Sequence, residues 1–373
     1  MLTTIAPSQK SLESNLQYWL VFLRFVVQKL DLHRDDQGLD QEDREERRRL
    51  WWATYIIDRH VALSFNGRPR LTDQECSYLP VPCPDAVWDQ MSPLPQLSND
   101  VLQSSESRYQ LRSLDMLGTF LPLSSRILGD ILEYRFLDDH PTFSSNKALL
   151  DTSRKVIIQN LRLWLDSFES LVEPSFCRIA EPGCELMPSP NAPAVAYYGL
   201  HMYHCMFVLL HGRMDVVRMY HDLEWQASAD FLTAGEHAVA CANVASHILR
   251  VDPQLSFMYR YFGTYFLQSS FIFLILAQKL GQKSDKLILR NCAINLQVLD
   301  QFVLATNMDY QRTFAKLLRK ALSYNMKQHS PDQAQDGHGD TSPLEELQSN
   351  LDPEMLRYRW TPGFTGLWAH GGP

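Results

Sequence analysis

Asp43-Arg44-Glu45-Glu46-Arg47-Arg48-Arg49-Leu50-Trp51-Trp52 opens the stretch that decides the fold, and it runs on through Tyr55, Ile56 and Leu63 to Asn66-Gly67-Arg68-Pro69. Acidic residues lead and basic residues follow, which suits the first turn of a helix, and the apolar positions then recur at helical spacing. Three consecutive arginines suggest phosphate contact when taken alone. On a helix, however, Asp43 reaches Arg47 and Glu45 reaches Arg49 at i,i+4 with the acid N-terminal, so a salt-bridged face leading a helix into the core is the better reading. Asn66-Gly67 ends that helix, because glycine tolerates the left-handed geometry of a helix end and Pro69 blocks continuation.

Working outward, Leu16, Leu20, Leu23, Val27 and Leu30 predict one face of an earlier helix that ends near His33. Thr72 followed by Glu75 is a capping-box pattern that predicts a short helix, and Pro80, Pro82 and Pro84 then enforce an extended segment. Residues 91–104 read as a loop. A helix over 111–134 is expected to kink at Pro122, where the ring removes a backbone donor. Residues 147–171 predict another helix, with Val156, Leu163 and Phe168 facing inward, and the five prolines of 173–193 predict a surface crossing. Further helices are expected at about 194–220, 228–249, 255–280 and 284–325, the last broken near Asn307. No run alternates strictly enough to argue for a sheet, so the fold class is all-α, a large helical domain of about ten helices.

The 373 residues are 45% hydrophobic and 21% charged, enough apolar material for a large core and too much for a disordered chain. The length allows two domains, though an all-helical chain of this size can be one continuous body. Lys and Arg number 35 against 43 Asp and Glu, so a net charge of −8 repels a phosphate backbone on average. Seven scattered cysteines read as reduced thiols, and 1–10 carries no secretory pattern. The apolar stretch 255–280 contains Arg260, Gln268, Ser269 and Ser270, so it predicts a buried core helix, with no membrane span.

Chemistry-bearing clusters are few. His201, His204 and Cys205 share a helix face at i, i+3 and i+4, with His211 further on, but no second group of spaced ligands accompanies them. Core-lining histidine is the favoured reading, and no metal, cofactor or catalytic residue is assigned. A nucleophile elbow, a zinc-protease motif, a phosphate loop and a dinucleotide fingerprint are all missing from the sequence.

The block from Arg44 to Trp52, continued by Asp58-Arg59-His60 and Asn66-Gly67-Arg68-Pro69, resembles the regulatory domain of fungal zinc-cluster transcription factors, most closely the xylanolytic activator branch. Leu30 to Asp35, Phe120-Leu121-Pro122-Leu123, Leu210-His211-Gly212-Arg213-Met214-Asp215, Asp252-Pro253 to Met258 and Tyr358-Arg359-Trp360-Thr361 extend the likeness in the same order. The residues that carry the signature are Arg48, Arg49, Trp51, Trp52, Asp58, Arg59, Gly67, Arg68, Pro69, His211, Gly212, Asp215, Pro253, Arg359 and Trp360. Their role is expected to be mainly structural: the tryptophans as core, Asp58 and Arg59 as an internal ion pair or polar rim, Arg68 as a helix-end cap.

The resemblance implies a regulatory domain over 11–325; the Asp-, Gln-, Gly- and Ser-rich composition of 329–353 predicts a flexible linker over 326–355, and two tryptophans that need a surface predict a tail over 356–373 that packs on the domain. It also implies nuclear location and control of xylan-degrading or sugar-catabolic genes. Its implied partners are the transcription machinery or a homologous regulator, with a sugar-type effector. DNA would be read only through a zinc-holding six-cysteine module of the family, which these residues do not carry. A helical small-molecule-binding protein or enzyme is the alternative.

Overall fold

A computed structural model of the chain describes residues 12–84, 88, 109–111, 121–172, 194–256, 258, 262–280, 286–306, 312, 315, 316, 318–320, 323 and 359–361. In chain order the helices are α1 (Leu12–Lys29), α2 (Gln41–Ser64), α3 (Leu121–Asp138), α4 (Lys147–Leu171), α5 (Ala194–His211), α6 (Val216–His221), α7 (Leu223–Gln226), α8 (Ala229–Val251), α9 (Phe262–Leu280) and α10 (Lys286–Thr306). Among the described residues there is no strand, and the fold is all-α. No helix among them is long and apolar enough to cross a membrane. The chain divides into two compact units: residues 1–63, 67–180 and 189–196 form one, and 64–66, 181–188 and 197–373 form the other.

In the first unit the paired indoles organise the core. Trp51, Trp52 and Tyr55 of α2 cluster with Val27 of α1 and with Leu32, Leu71, Cys76 and Leu79 from the connecting segments. Along α1, Leu20 and Val27 are buried, whereas Leu30 lies beyond the helix and is exposed, so the apolar face is shorter than its spacing predicts. α2 ends as expected but by a different residue. Asn66 takes the left-handed backbone at φ 50°, and the Gly67 N–H reaches back 2.8 Å to the Ala62 carbonyl, which is the Schellman arrangement with asparagine in glycine's usual place. The segment after Thr72 is a run of turns and not a regular helix. Half of the capping box forms, with the Thr72 N–H donating to Glu75 Oε2 at 2.7 Å.

The next helix is described over Leu121–Asp138; residues 112–120, over which the helix is expected to start, lie outside the described set, and with them the expected kink at Pro122. α4 starts at Asn146, whose side chain accepts from the Leu149 N–H. Its buried stripe is Leu150, Ile157, Leu161, Trp164, Leu165 and Phe168. Val156 is half exposed and Leu163 only partly covered, so of the three positions expected inside only Phe168 is there. The expected loops at 91–104 and 173–193 and the linker at 326–355 fall outside the described residues.

In the second unit α8, α9 and α10 pack against one another, and α5 is buried along nearly its whole length. Serines inside this apolar layer are satisfied locally. Ser270 donates to the Phe266 carbonyl, and the Asn295 amide of α10 donates to Ser269 and Ser270 Oγ at 2.9 and 3.0 Å. The helix expected over 194–220 breaks at Gly212, whose N–H closes on the Val208 carbonyl at 2.8 Å. A Cβ at Gly212 would stand 2.4 Å from that same oxygen. Gly212→Ala is therefore expected to cost about 1–3 kcal/mol, the range for overpacking. A urea-midpoint measurement showing no loss would refute the close approach. The helix expected from residue 255 is described over Phe262–Leu280, and residues 255, 256 and 258 ahead of it are not helical, because Asp252 caps α8 and Leu255 turns the chain at φ 54°.

Candidate functional site

The charged run ahead of Trp51 is spent internally. Arg44 donates to both Asp35 oxygens at 2.9 and 2.5 Å, and Arg48 reaches Asp35 and Glu45. Burial pushes the Asp35 carboxyl up, but the bond from Arg44 and the charges of Arg48 and Arg44 outweigh it and hold the group below its ordinary value. Glu45 is fully buried, with Oε1 accepting Arg49 Nε at 3.2 Å and the Cys83 N–H at 2.8 Å. The Glu45–Arg49 pair thus forms at the expected spacing, while Arg47 leaves Asp43 and donates to the Leu30 carbonyl at the end of α1. These arginines hold the first unit together and do not present a phosphate-binding row.

Asp58 is the hub of the same unit. Its carboxylate is inaccessible; Oδ1 accepts Arg24 Nε of α1 at 2.6 Å, and Oδ2 accepts the backbone N–H groups of Arg70 and Leu71 at 2.8 and 3.0 Å. One side chain thus joins α1, α2 and the segment that follows Pro69. Arg59 is equally buried but points elsewhere. It donates to Asp73 at 2.6 Å and lies 3.2 Å above the Tyr55 ring, and its nearest approach to Asp58 is 3.8 Å. The expected internal Asp58–Arg59 ion pair is present at that distance, while the hydrogen bonds of each residue go to other partners. Gly129 of α3 fits against Arg59, since a Cβ there would lie 2.8 Å from Nε. His60 is brought down to about 4, by burial against the bond to the Ile56 carbonyl and with help from the Arg59 charge, so it sits in the core neutral.

Arg68 is no helix-end cap. It bridges to Glu133 of α3 and lies 5.5 Å from the Phe136 ring, with more than half of its side chain in water. Pro69 follows in the extended run between α2 and the turns.

The second unit gathers a further group of signature residues. Asp215 Oδ1 accepts the Arg218 N–H as the N-cap of α6, and Oδ2 accepts Arg359 Nε at 2.8 Å and the Trp360 N–H at 2.9 Å. Trp360 is buried, edge-on to Phe271 at 6.5 Å. The Thr361 carbonyl accepts from Asn66 at 2.8 Å. His211 bonds Asp230 at 2.8 Å, and its carbonyl accepts the Trp225 indole N–H at 2.9 Å. Pro253 stands apart from this group, exposed in the turn after α8. Asp215→Ala removes a cap and two bonds to a carboxylate, and is expected to cost about 2–3 kcal/mol. Arg359→Ala, a third exposed, should cost about 0.5–1 kcal/mol. Equal losses in urea titrations of the two variants would show that the cap and the Trp360 bond contribute nothing.

Residues that sequence reading missed are the distant partners. Arg24, Asp35, Asp73 and Arg126 complete the first unit's networks, and Cys241 stands beside Cys205 in the second, with the sulfurs 3.5 Å apart. None had a local spacing signal, because each pairs across 9 or more positions to another element.

Both units are helical, Asp58 and Asp215 each fasten separate segments within their own unit, and no catalytic constellation stands among the described residues. Residues 9–166 match the family described as the fungal specific transcription factor domain. It is 33% identical over 359 residues to the xylanolytic transcriptional activator xlnR of Emericella nidulans, covering 88% of this chain and 38% of the relative. To the xlnR activator of Aspergillus niger it is 32% identical over 362 residues, 88% of this chain and 36% of that one. The arabinolytic transcriptional activator araR of Emericella nidulans is 27% identical over 364 residues, 90% and 42% respectively. The chain spans about two fifths or less of the length of these xylanolytic relatives. No solved structure matches.

Proposed function

We propose that the chain is the regulatory body of a fungal transcription regulator that acts in the nucleus on genes for xylan and cellulose degradation or sugar catabolism. The observation that carries this reading is the run of similarity through 88% of the chain to activators named xylanolytic, across both compact units. DNA reading is assigned to a zinc-cluster module outside these residues, since the net charge is −8 and the arginines of the Arg44–Arg49 run, among the described residues, are paired internally. Its partners on this reading are the transcription machinery or a homologous regulator, and its effector is a sugar-type molecule whose differential binding shifts the body between two packings.

The test fuses the full chain to a heterologous DNA-binding module in a fungal reporter strain. D-xylose and L-arabinose are expected to change reporter output at least about fivefold, a coupling of roughly 1 kcal/mol. Output that matches the DNA-binding module alone, with and without either sugar, would overturn the reading.

A further inference from the structure

In the second unit one turn of α5 places His201 and Cys205 on the same face, and α8 brings Cys241 against them. Cys205 Sγ lies 3.5 Å from Cys241 Sγ and 3.6 Å from His201 Nδ1, and the three donor atoms all fall within 4.8 Å of one another. All three residues are buried, and the His201 ring is held between Phe262 and Phe266 of α9, with centroids 6.0 and 4.6 Å away. We propose that His201, Cys205 and Cys241 form a binding site for one thiophilic closed-shell cation, Zn2+ or Cu+.

The dimensions favour it. With metal–sulfur bonds of about 2.3 Å and a metal–nitrogen bond of about 2.0 Å in tetrahedral directions, the sulfurs would stand roughly 3.8 Å apart and sulfur and nitrogen roughly 3.5 Å apart. The Cys205–His201 and Cys205–Cys241 separations of 3.6 and 3.5 Å are close to those values, and the Cys241–His201 pair, within 4.8 Å, has to close by about an ångström at most. The donor set excludes hard ions such as Mg2+ and Ca2+, which take oxygen ligands, and it matches the thiolate and imidazole preference of Zn2+ and Cu+.

Binding forms two metal–sulfur bonds and one metal–nitrogen bond and releases both thiol protons to solvent. With Zn2+ the site is then uncharged, which removes the cost of placing a thiolate in an apolar layer. With Cu+ one negative charge remains, but three donors complete its coordination, whereas Zn2+ takes a fourth from water. Directly behind His201, His204 and His237 of the same two helices share an Nδ1 contact of 2.9 Å, so the polar lining continues and does not end at the three donors.

The full chain, produced in medium supplemented with Zn2+ or with copper and purified under a non-thiol reductant, is read by native mass spectrometry and elemental analysis. One ion per chain is expected, and the two media distinguish the two ions. Cys205→Ala and Cys241→Ala should each lower occupancy at least about tenfold. Cys292→Ala, a buried thiol on α10 outside the cluster, should leave it unchanged. Should the cluster variants not fold, X-ray absorption at the metal edge of the unaltered protein decides, with two sulfur donors and one imidazole expected. A metal-free chain from both media, undiminished occupancy in the two cluster variants, or a shell of oxygen and nitrogen donors alone would each overturn the proposal.

Discussion

Asp58→Ala is expected to lower the stability of the first unit by about 3–5 kcal/mol, the cost of removing one partner from a buried ion pair. The carboxylate is inaccessible and serves three donors on two other segments, Arg24 of α1 and the Arg70 and Leu71 N–H groups. Deleting it strands all three. Arg24 keeps only a small exposed fraction, so its guanidinium cannot simply turn to water, and the two N–H groups lie under the same segment. Asp58→Asn separates charge from shape. Its amide fits the space and its oxygen can still accept from Leu71 and Arg70, but the NH2 group then faces Arg24, donor against donor. About half of the alanine effect is expected for it, consistent with charged hydrogen bonds contributing about 1.5–3 kcal/mol. Urea unfolding of the full chain, with hydrogen exchange read on peptides from α1 and α2, measures both variants. A loss below about 1 kcal/mol for alanine would mean that the segment after Pro69 is held by packing alone.

How much of this was legible beforehand follows from which interactions are local. α2 and α4 were readable to within a residue or two, because acidic first turns, caps and 3.6-residue spacing all lie within the element itself. The cluster around Trp51 and Trp52 was readable for the same reason. The break at Gly212 was not, since a glycine between His211 and Arg213 carries no mark of the carbonyl it will touch, and Asp215 three residues on is the N-cap that restarts the chain. Val156 was misplaced because it lies next to the true stripe, one position from Ile157. The signature residues themselves were identifiable as a set, but their partners were not. Asp58 adjoins Arg59 in sequence, which suggests a pair, and the two do approach to 3.8 Å, but the hydrogen bonds of each go to partners on other segments that no local spacing encodes. The sulfur pair of Cys205 and Cys241 depends on the packing of α5 on α8, which no spacing within either helix encodes.

Trp52→Ala should be as costly as the loss of Asp58, about 3–5 kcal/mol, for a reason with two separable parts. The indole is almost completely enclosed, edge-on to Tyr55 at 4.9 Å, with the Arg126 guanidinium 5.3 Å from its ring. Truncation leaves a cavity that α3 closes only at a cost, because Gly129 on the same helix already packs against the buried Arg59 side chain and a further approach would displace that guanidinium. The second part is the indole N–H, which donates to the Pro80 carbonyl at 2.7 Å across the extended proline segment. Trp52→Phe keeps an aromatic face for Arg126 and most of the volume while leaving that carbonyl without its donor, so it isolates the polar part at about 1–2 kcal/mol. If the core around α2 is set by volume, phenylalanine recovers most of the stability that alanine loses, and the residual deficit appears as faster hydrogen exchange in residues 76–84. Equal losses for the two variants in urea titrations would instead place the whole effect in the bond to Pro80, and the indole would then matter as a strap on the proline segment more than as filling.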